Sequence, residues 1–511
     1  MSFRNPSAIN PRGAIMLIAM LLGMFAVAWA QDAASGQSSG TQQPSGTQQS
    51  SGTQQPSDAQ QSSSPAPAFG QDTSSTQAPA ENPPISSLDQ PSLEAPTSNR
   101  SYLVPSVQVS QSIDSNSGNA IGGSTLTGVT RGFGSLSLQK LWARSDLGLG
   151  YVGGGAFYAG RSTSLSQVHD LQAQDRYLWR TGQFAVRDTF SYLPEGSFGY
   201  SSFGGAGNYL GLGTGGGGLG QGVGGGVGGT QFNFFGPGQF ASLGQQPRIT
   251  NVIIVDVVQA LSPRSSVTAA GSYGLVHFTN SGTGLINSRQ VSAQAGYNYQ
   301  ISRKDQIGVV YGYQNFRYPS SASSDFTTDV FNVLYGHRIS GRLDLILGGG
   351  PQITNISNPL FGSFRRISFT ARGELRYRFP KAFLSLFYDR YNTSGSGLFT
   401  GATSDVARVT YSRPIHRVWN TIADVGYSRN SRIAPSSIGV SAQSYAYVYA
   451  GGSVGRNLGR YFGVFASYQF NRLGFDQSFC APSGNSSCNR TSQRHEAAIG
   501  ITWHPTPIRL D

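Results

Sequence analysis

Charge is scarce in this sequence, and whole stretches have none. Asp, Glu, Lys and Arg make up 12% of the 511 residues, against about 25% in an average soluble protein. Lysine is nearly missing: Lys140, Lys304 and Lys381 are the three in the chain. Residues 31–99 hold six acids (Asp32, Asp58, Asp72, Glu81, Asp89 and Glu94) but no Lys or Arg, and no charge of either sign lies between Glu195 and Arg248.

These absences exclude several classes. A net charge of +12 would suit a nucleic-acid binder, but such proteins gather their bases into a patch or stripe. Here the arginines are scattered at strand-like intervals, so no nucleic-acid partner is expected. Beyond residue 30 no stretch is apolar for the ~20 residues a membrane helix needs. The cysteines are two, Cys480 and Cys488, and His495 alone beside them does not complete a metal site. The six histidines show no ligand spacing, and neither G-x-S-x-G nor His-Glu-x-x-His occurs. The glycine runs Gly215–Gly218 and Gly224–Gly226 lead into no Lys-Ser/Thr and no helical pattern, so they are not phosphate loops. Neither a cofactor nor an enzymatic activity is expected.

What the chain does contain begins with a leader. Arg4 and Arg12 precede an apolar run from Ala14 to Val27, and Ala28-Trp29-Ala30 is a small-x-small cleavage signal, so residues 1–30 are expected to be a signal peptide. Residues 31–99 repeat Gly-Thr-Gln-Gln from Gly40, Gly46 and Gly52. That composition cannot bury a core, and a disordered linker is expected there.

From residue 100 the pattern changes to long alternation. Phe364–Phe379 sets Ile367, Phe369, Ala371, Gly373, Leu375, Tyr377 and Phe379 on one side, and Arg366, Ser368, Thr370, Arg372, Glu374, Arg376 and Arg378 on the other. Alternate side chains on a strand face opposite ways. One face is therefore apolar and one charged, over a length well beyond the usual ~5–6 residues. A turn at Pro380-Lys381 returns the chain through Ala382, Leu384, Leu386 and Tyr388. The pattern recurs in Val291–Ile301, in Phe462–Phe470 and in Ala497–Trp503. Tyr445, Tyr447 and Tyr449 are read as the start of another outward face.

Eight short turns are expected, at 143–146, 181–182, 262–265, 302–305, 340–342, 380–381, 413–415 and 455–459. They alternate with nine longer segments, around 113–131, 160–167, 195–247, 280–287, 319–325, 354–364, 393–402, 430–441 and 472–490. Nine loops and eight turns give 18 strands with both ends on one side; 16 is the alternative, because the first strand is the weakest. Short turns on one side and long loops on the other describe a transmembrane up-and-down antiparallel β-barrel over 100–511.

In this architecture the chain resembles bacterial outer-membrane β-barrel proteins of the general porin-like kind, without a specific family motif. The resemblance implies the outer membrane with the linker in the periplasm, lipid as surroundings, and insertion by the barrel-assembly machinery. Trp503 is the aromatic nearest the end of the final strand, but the chain continues to Asp511. The implied activity is a diffusion channel for small, anionic solutes. The alternative is a non-conducting structural or surface-attachment barrel whose outer loops do the work. Cell-wall contact through the linker is a further reading, against that of a plain spacer.

Three features bear on function. Alternation points Arg176, Arg180, Arg187, Arg338, Arg366, Arg372, Arg376, Arg378, Arg408 and Arg494 inward, opposed by Asp344, Glu374, Asp389, Asp424 and Glu496. Such an excess of fixed positive charge favours anions; the competing reading is a set of ion pairs holding a filled barrel together. The charge-free third loop would, by analogy with general porins, fold inside as a constriction carrying Phe232, Phe234, Phe235 and Phe240. A turn at Thr181-Gly182 places Asp175 opposite Asp188 on the outer face, which suits a homo-oligomer contact or a position near the rim. Cys480 and Cys488 share the last loop and, in an exported protein, are expected to pair.

Overall fold

The computed structural model describes Ile85 and most of 101–510; residues 1–84, 86–100, 117–124, 160–164, 194–247, 280–284, 320–324, 359–361, 396, 416–418, 434–442, 477–489, 504 and 511 lie outside the described residues. The expected signal peptide, the rest of the expected linker, the four loop phenylalanines and both cysteines therefore fall outside them.

The chain forms strands β1 (Tyr102–Asp114), β2 (Thr127–Leu141), β3 (Ser145–Tyr158), β4 (Leu165–Trp179), β5 (Gly182–Leu193), β6 (Arg248–Ser262), β7 (Ser265–Phe278), β8 (Ser288–Gln300) and β9 (Asp305–Arg317). They continue as β10 (Asp325–Ser340), β11 (Leu343–Asn358), β12 (Gly362–Phe379), β13 (Ala382–Thr393), β14 (Ala402–Pro414), β15 (Trp419–Arg432), β16 (Ser444–Leu458), β17 (Phe462–Phe475), β18 (Thr491–Trp503) and the two-residue β19 (Ile508–Arg509). Each pairs antiparallel with its neighbour, and β1 pairs with β18 from Val107↔Trp503 to Asp114↔Glu496, closing the sheet. β19 continues β18 along β1, pairing Leu103↔Ile508 and Tyr102↔Arg509. Five residue steps from Trp503 to Ile508 face four from Val107 to Leu103, so the seam carries one extra residue beside Pro505 and Pro507. Proline donates no ladder hydrogen bond, and such positions are where pairing breaks. The barrel thus has 18 staves, and closure leaves it no free edge in the manner of an open sheet.

Eight connections of two to four residues alternate with nine that include segments of 54 and 15 residues. One loop expectation fails: the segment placed around 354–364 shrinks to three residues, because β11 runs to Asn358 and β12 starts at Gly362. Outward Ile353 and Ile367 alternate with inward Thr354 and Arg366, which continues the strand pattern through a composition that reads as loop.

Side-chain parity makes the wall two-sided. Val291, Ala293, Ala295, Tyr297 and Tyr299 are exposed on the outside, whereas Ser288, Gln290, Ser292 and Asn298 are buried on the inside. Ile367, Phe369, Tyr468, Ile499, Ile501 and Trp503 continue the outer apolar surface. An apolar exterior over a polar interior suits a bilayer, where an outward Arg near the midplane costs about 2–4 kcal/mol.

β16 corrects the reading of its tyrosines. Tyr445, Tyr447 and Tyr449 are buried on the inner face, and Ala446, Val448 and Ala450 face out. Both sets are apolar enough for lipid, so composition did not decide the parity. The β4–β5 register is also corrected. Asp175 lies opposite Val186 and Asp188 opposite Ala173, because the turn is Arg180-Thr181. Both acids keep the outer parity, but each has its own polar neighbour. Ser145 Oγ donates to Asp175 at 2.9 Å, and Asn251 Nδ2 donates to Asp188 at 2.8 Å.

Candidate functional site: the barrel interior

Three constellations line the interior. The first lies across the closing seam. On β18, Arg494 donates to Asp114 of β1 (Nε to Oδ2, 2.9 Å) and reaches Glu496 at 3.1 Å. Arg131 of β2 contacts Glu496 at 2.9 Å and donates to Ser112 Oγ at 2.5 Å. The four charged groups are almost fully buried and sum to zero. They join the three strands whose pairing closes the ring.

The second lies on β10 to β13. Glu374 is shared by Arg376 at 2.6 Å and Arg372 at 3.5 Å, and Asp389 sits opposite Arg372 in register. Arg338 and Asp344 pair across the β10–β11 turn at 3.3 Å. Farther round the wall, Arg187 of β5 pairs with Asp256 of β6, both buried. Among the ten arginines pointed inward by alternation, Arg187, Arg376 and Arg494 are buried. Arg176, Arg338, Arg366, Arg372 and Arg408 are half-buried, and Arg180 and Arg378 are exposed close to short turns. The backbone of Asp424 sits opposite Thr410 and Gly451. Arg131, Asp114 and Asp256, which alternation alone had not singled out, turn out to be ion-pair partners here.

The third constellation crosses the lumen at the long-loop end. β12 and β13 pair only from Phe379↔Ala382 to Ala371↔Arg390, although β11 and β12 stay paired up to Asn358↔Gly362. Beyond Arg390 the top of β13 parts from β12, stays paired with β14 up to Thr393↔Ala402, and leans inward. Asn392, outward by parity, is buried, and its Nδ2 donates to Thr354 Oγ1 of β11 at 2.8 Å and Thr328 Oγ1 of β10 at 3.2 Å. Both threonines are on inner faces, so the outer side of β13 here lies against the inner side of β10 and β11. The Tyr318 hydroxyl donates to the Ser394 carbonyl at 3.2 Å.

The β13–β14 connection then spans the ring. Ile286 N donates to the Gly397 carbonyl at 2.9 Å, and a Cβ on Gly397 would stand 2.5 Å from the Phe278 ring of β7. Phe399 packs on Tyr445 of β16 with ring centroids 5.5 Å apart, and the Arg432 guanidinium lies 4.8 Å from its centroid. β7 and β16 are nine strands apart in a ring of 18, so this short loop touches opposite walls. Gly395, Gly397 and Gly401 have φ of 83°, 81° and 88°, a region glycine enters at little cost. Phe316, Tyr318, Phe326, Ile356 and Ile433 form an aromatic-aliphatic cluster beside it. The sequence signal for this strap is the Gly-x-Gly spacing of 395–401 with Phe399 inside it. Three glycines within seven residues are a weak signal in a chain with 68 glycines.

Among the described residues no helix is long and apolar enough to cross a membrane, and no group of three or more His, Cys, Asp or Glu could hold a metal ion.

No known protein-family profile matches the chain, and no curated protein does. Solved structures similar in fold include OccK2 (OpdF) of Pseudomonas aeruginosa in complex with glucuronate, at 8% identity and TM-score 0.40, covering 80% of this chain and 98% of that one. The outer membrane protein OpdK of the same organism is 12% identical at TM-score 0.37, covering 79% and 98%. The ferric-catecholate import receptor Fiu of E. coli K12 is 9% identical at TM-score 0.37, covering 80% and 82%.

Proposed function

We propose that this chain is an outer-membrane diffusion channel for small solutes, with a preference for anions. The observation that carries the reading is the two-sided, closed wall of 18 strands. With strands ~4.8 Å apart and tilted by ~40°, such a ring is about 36 Å across. Side chains from the wall reach only part of the way to the axis, and barrels of 16–18 strands leave a water-filled path. The polar inner face needs hydrogen bonds, ion pairs or water to be stable.

Anion preference follows from the sign of the inner charge. Among the described residues the inner face carries more guanidinium than carboxylate groups, with Arg176, Arg180, Arg366, Arg378 and Arg408 on the same face as the ion-pair clusters. Fixed positive charge along a water-filled path lowers the barrier for anions. The clusters themselves act as structural ties within the wall. The strap 391–402 narrows the path at the long-loop end, where Phe399, Tyr445 and Arg432 meet.

That same strap supports a second reading, a barrel closed to solutes whose outer loops do the work. Reversal potential in a planar bilayer under a KCl gradient separates them. The channel reading expects steady steps with a reversal potential shifted toward chloride, and a smaller shift in Arg366→Gln/Arg408→Gln. A cation-directed reversal potential would overturn the anion preference, and silence from a folded barrel would overturn the channel.

A further inference from the structure

Strand β12 is paired along its whole upper half on one side only. Toward β11 the ladder runs from Leu343↔Tyr377 up to Asn358↔Gly362. Toward β13 it ends at Ala371↔Arg390. Among the described residues, no backbone hydrogen bond outside the ladders involves Gly362–Thr370. Alternate N–H and C=O groups along this edge therefore face no strand. Ile367 and Phe369 stand on the outer face beside it, 72% and 55% exposed. An open edge is not tolerated against hydrocarbon, and anywhere it is a template for another strand.

The segment that fits the edge is held inside the ring. Continuing the β12–β13 register past Ala371↔Arg390 sets Tyr391 beside Thr370, Asn392 beside Phe369, Thr393 beside Ser368 and Ser394 beside Ile367. The ladder needs no new alignment to extend this way, and none of the four incoming residues is a proline, which could not donate to it. In the structure the same residues hold an inner seat. Asn392 Nδ2 donates to Thr354 and Thr328, its Oδ1 accepts from Thr403 Oγ1 at 3.0 Å, and the Ser394 carbonyl accepts from the Tyr318 hydroxyl. Because β13 and β14 stay paired up to Thr393↔Ala402, their ends form one hairpin. At its base Arg390 and Asp405 lie opposite in register and pair at 2.8 Å, and the Arg390 guanidinium stands 4.6 Å from the centroid of the Phe369 ring. The inner seat thus rests on a few side-chain hydrogen bonds and the Phe399 contact, and the wall seat offers backbone bonds over four residue pairs.

We propose that the open edge of β12 is a second seat for the chain's own Tyr391–Ser394, that the strap exchanges between lumen and wall, and that its move into the wall widens the outer mouth. The widening rests on the channel reading; the exchange of seats does not. Continuity of register singles out this occupant over a second copy of the chain.

The test uses the full chain with Cys480 and Cys488 changed to Ser. Thr354→Cys with Asn392→Cys captures the inner seat, and Ser368→Cys with Thr393→Cys captures the wall seat. Oxidation should close an intramolecular disulfide in each, visible as a mobility shift that reduction reverses. Ser368→Cys with Ser110→Cys, seven strands away, should not close. In planar bilayers the oxidised Ser368→Cys/Thr393→Cys barrel should conduct about twofold or more above its reduced form, and the oxidised Thr354→Cys/Asn392→Cys barrel should not rise. A folded barrel that crosslinks only at 354 and 392, or at neither pair, overturns the exchange. A dimer linked through Ser368→Cys alone gives the edge to a second copy and overturns it too. A crosslink between 368 and 393 without a rise in conductance overturns the widening. If no variant conducts, the channel reading falls, while the disulfides still report on the two seats.

Discussion

Replacing Glu496 by Gln should weaken the barrel at its closing seam. Glu496 accepts from Arg131 at 2.9 Å and Arg494 at 3.1 Å, and both guanidiniums are almost fully buried. The substitution leaves two cations facing one carboxylate, Asp114. Removing one partner of a buried pair costs about 3–5 kcal/mol. The lower end applies, because Arg494 keeps Asp114 and Arg131 keeps the Ser112 hydroxyl. Adding Arg131→Met restores neutrality, so the double variant should be more stable than Glu496→Gln alone, by on the order of 1 kcal/mol, a coupling that a double-mutant cycle measures. The assay is urea unfolding in detergent micelles followed by tryptophan fluorescence, read as the shift in midpoint at constant slope. A cost below about 1 kcal/mol, as for a solvent-exposed pair, would refute the burial of this cluster. So would a double variant less stable than the single.

Other consequences follow from the wall and the strap. Ala295 faces out at mid-strand and Gln294 faces in, so Ala295→Arg should cost about 2–4 kcal/mol in the same unfolding assay, and Gln294→Arg much less; equal costs would contradict the assigned parity. Gly397→Val meets the Phe278 ring and a positive φ together, so it should displace the strap from the outer mouth and raise single-channel conductance, unchanged conductance counting against a constriction there. Asn392→Ala removes both hydrogen bonds to Thr354 and Thr328; at about 0.5–1.5 kcal/mol per bond, it should speed proteolysis within 391–402 of the folded barrel and leave the rest intact.

Long strands were legible because their two faces differ in chemistry. Ile367, Phe369 and Leu375 against Arg366, Arg372 and Glu374 leave one parity only. The turns were legible because a two-residue connection such as Pro380-Lys381 interrupts that alternation on both sides. Parity failed at Tyr445, Tyr447 and Tyr449, where Ala446, Val448 and Ala450 suit lipid equally well. Register failed by two residues at Asp175 and Asp188, since a shift of two preserves every face and leaves no mark on the pattern. The inward lean of β13 was illegible for a different reason: Asn392 and Ser394 gain their partners from β10, β11 and the segment after β9, far away in sequence. The burial of Ile85 against Val310 and Leu334 is likewise set by Gly308 and Gly336, two glycines in a chain with 68.

The most direct test of the central claim, a two-sided 18-stranded wall around a conducting path, is single-channel recording of the refolded full-length chain in a planar bilayer. The account predicts discrete, steady conductance steps with a chloride-directed reversal potential under a KCl gradient. A barrel that runs as folded on a gel yet passes no current would contradict it.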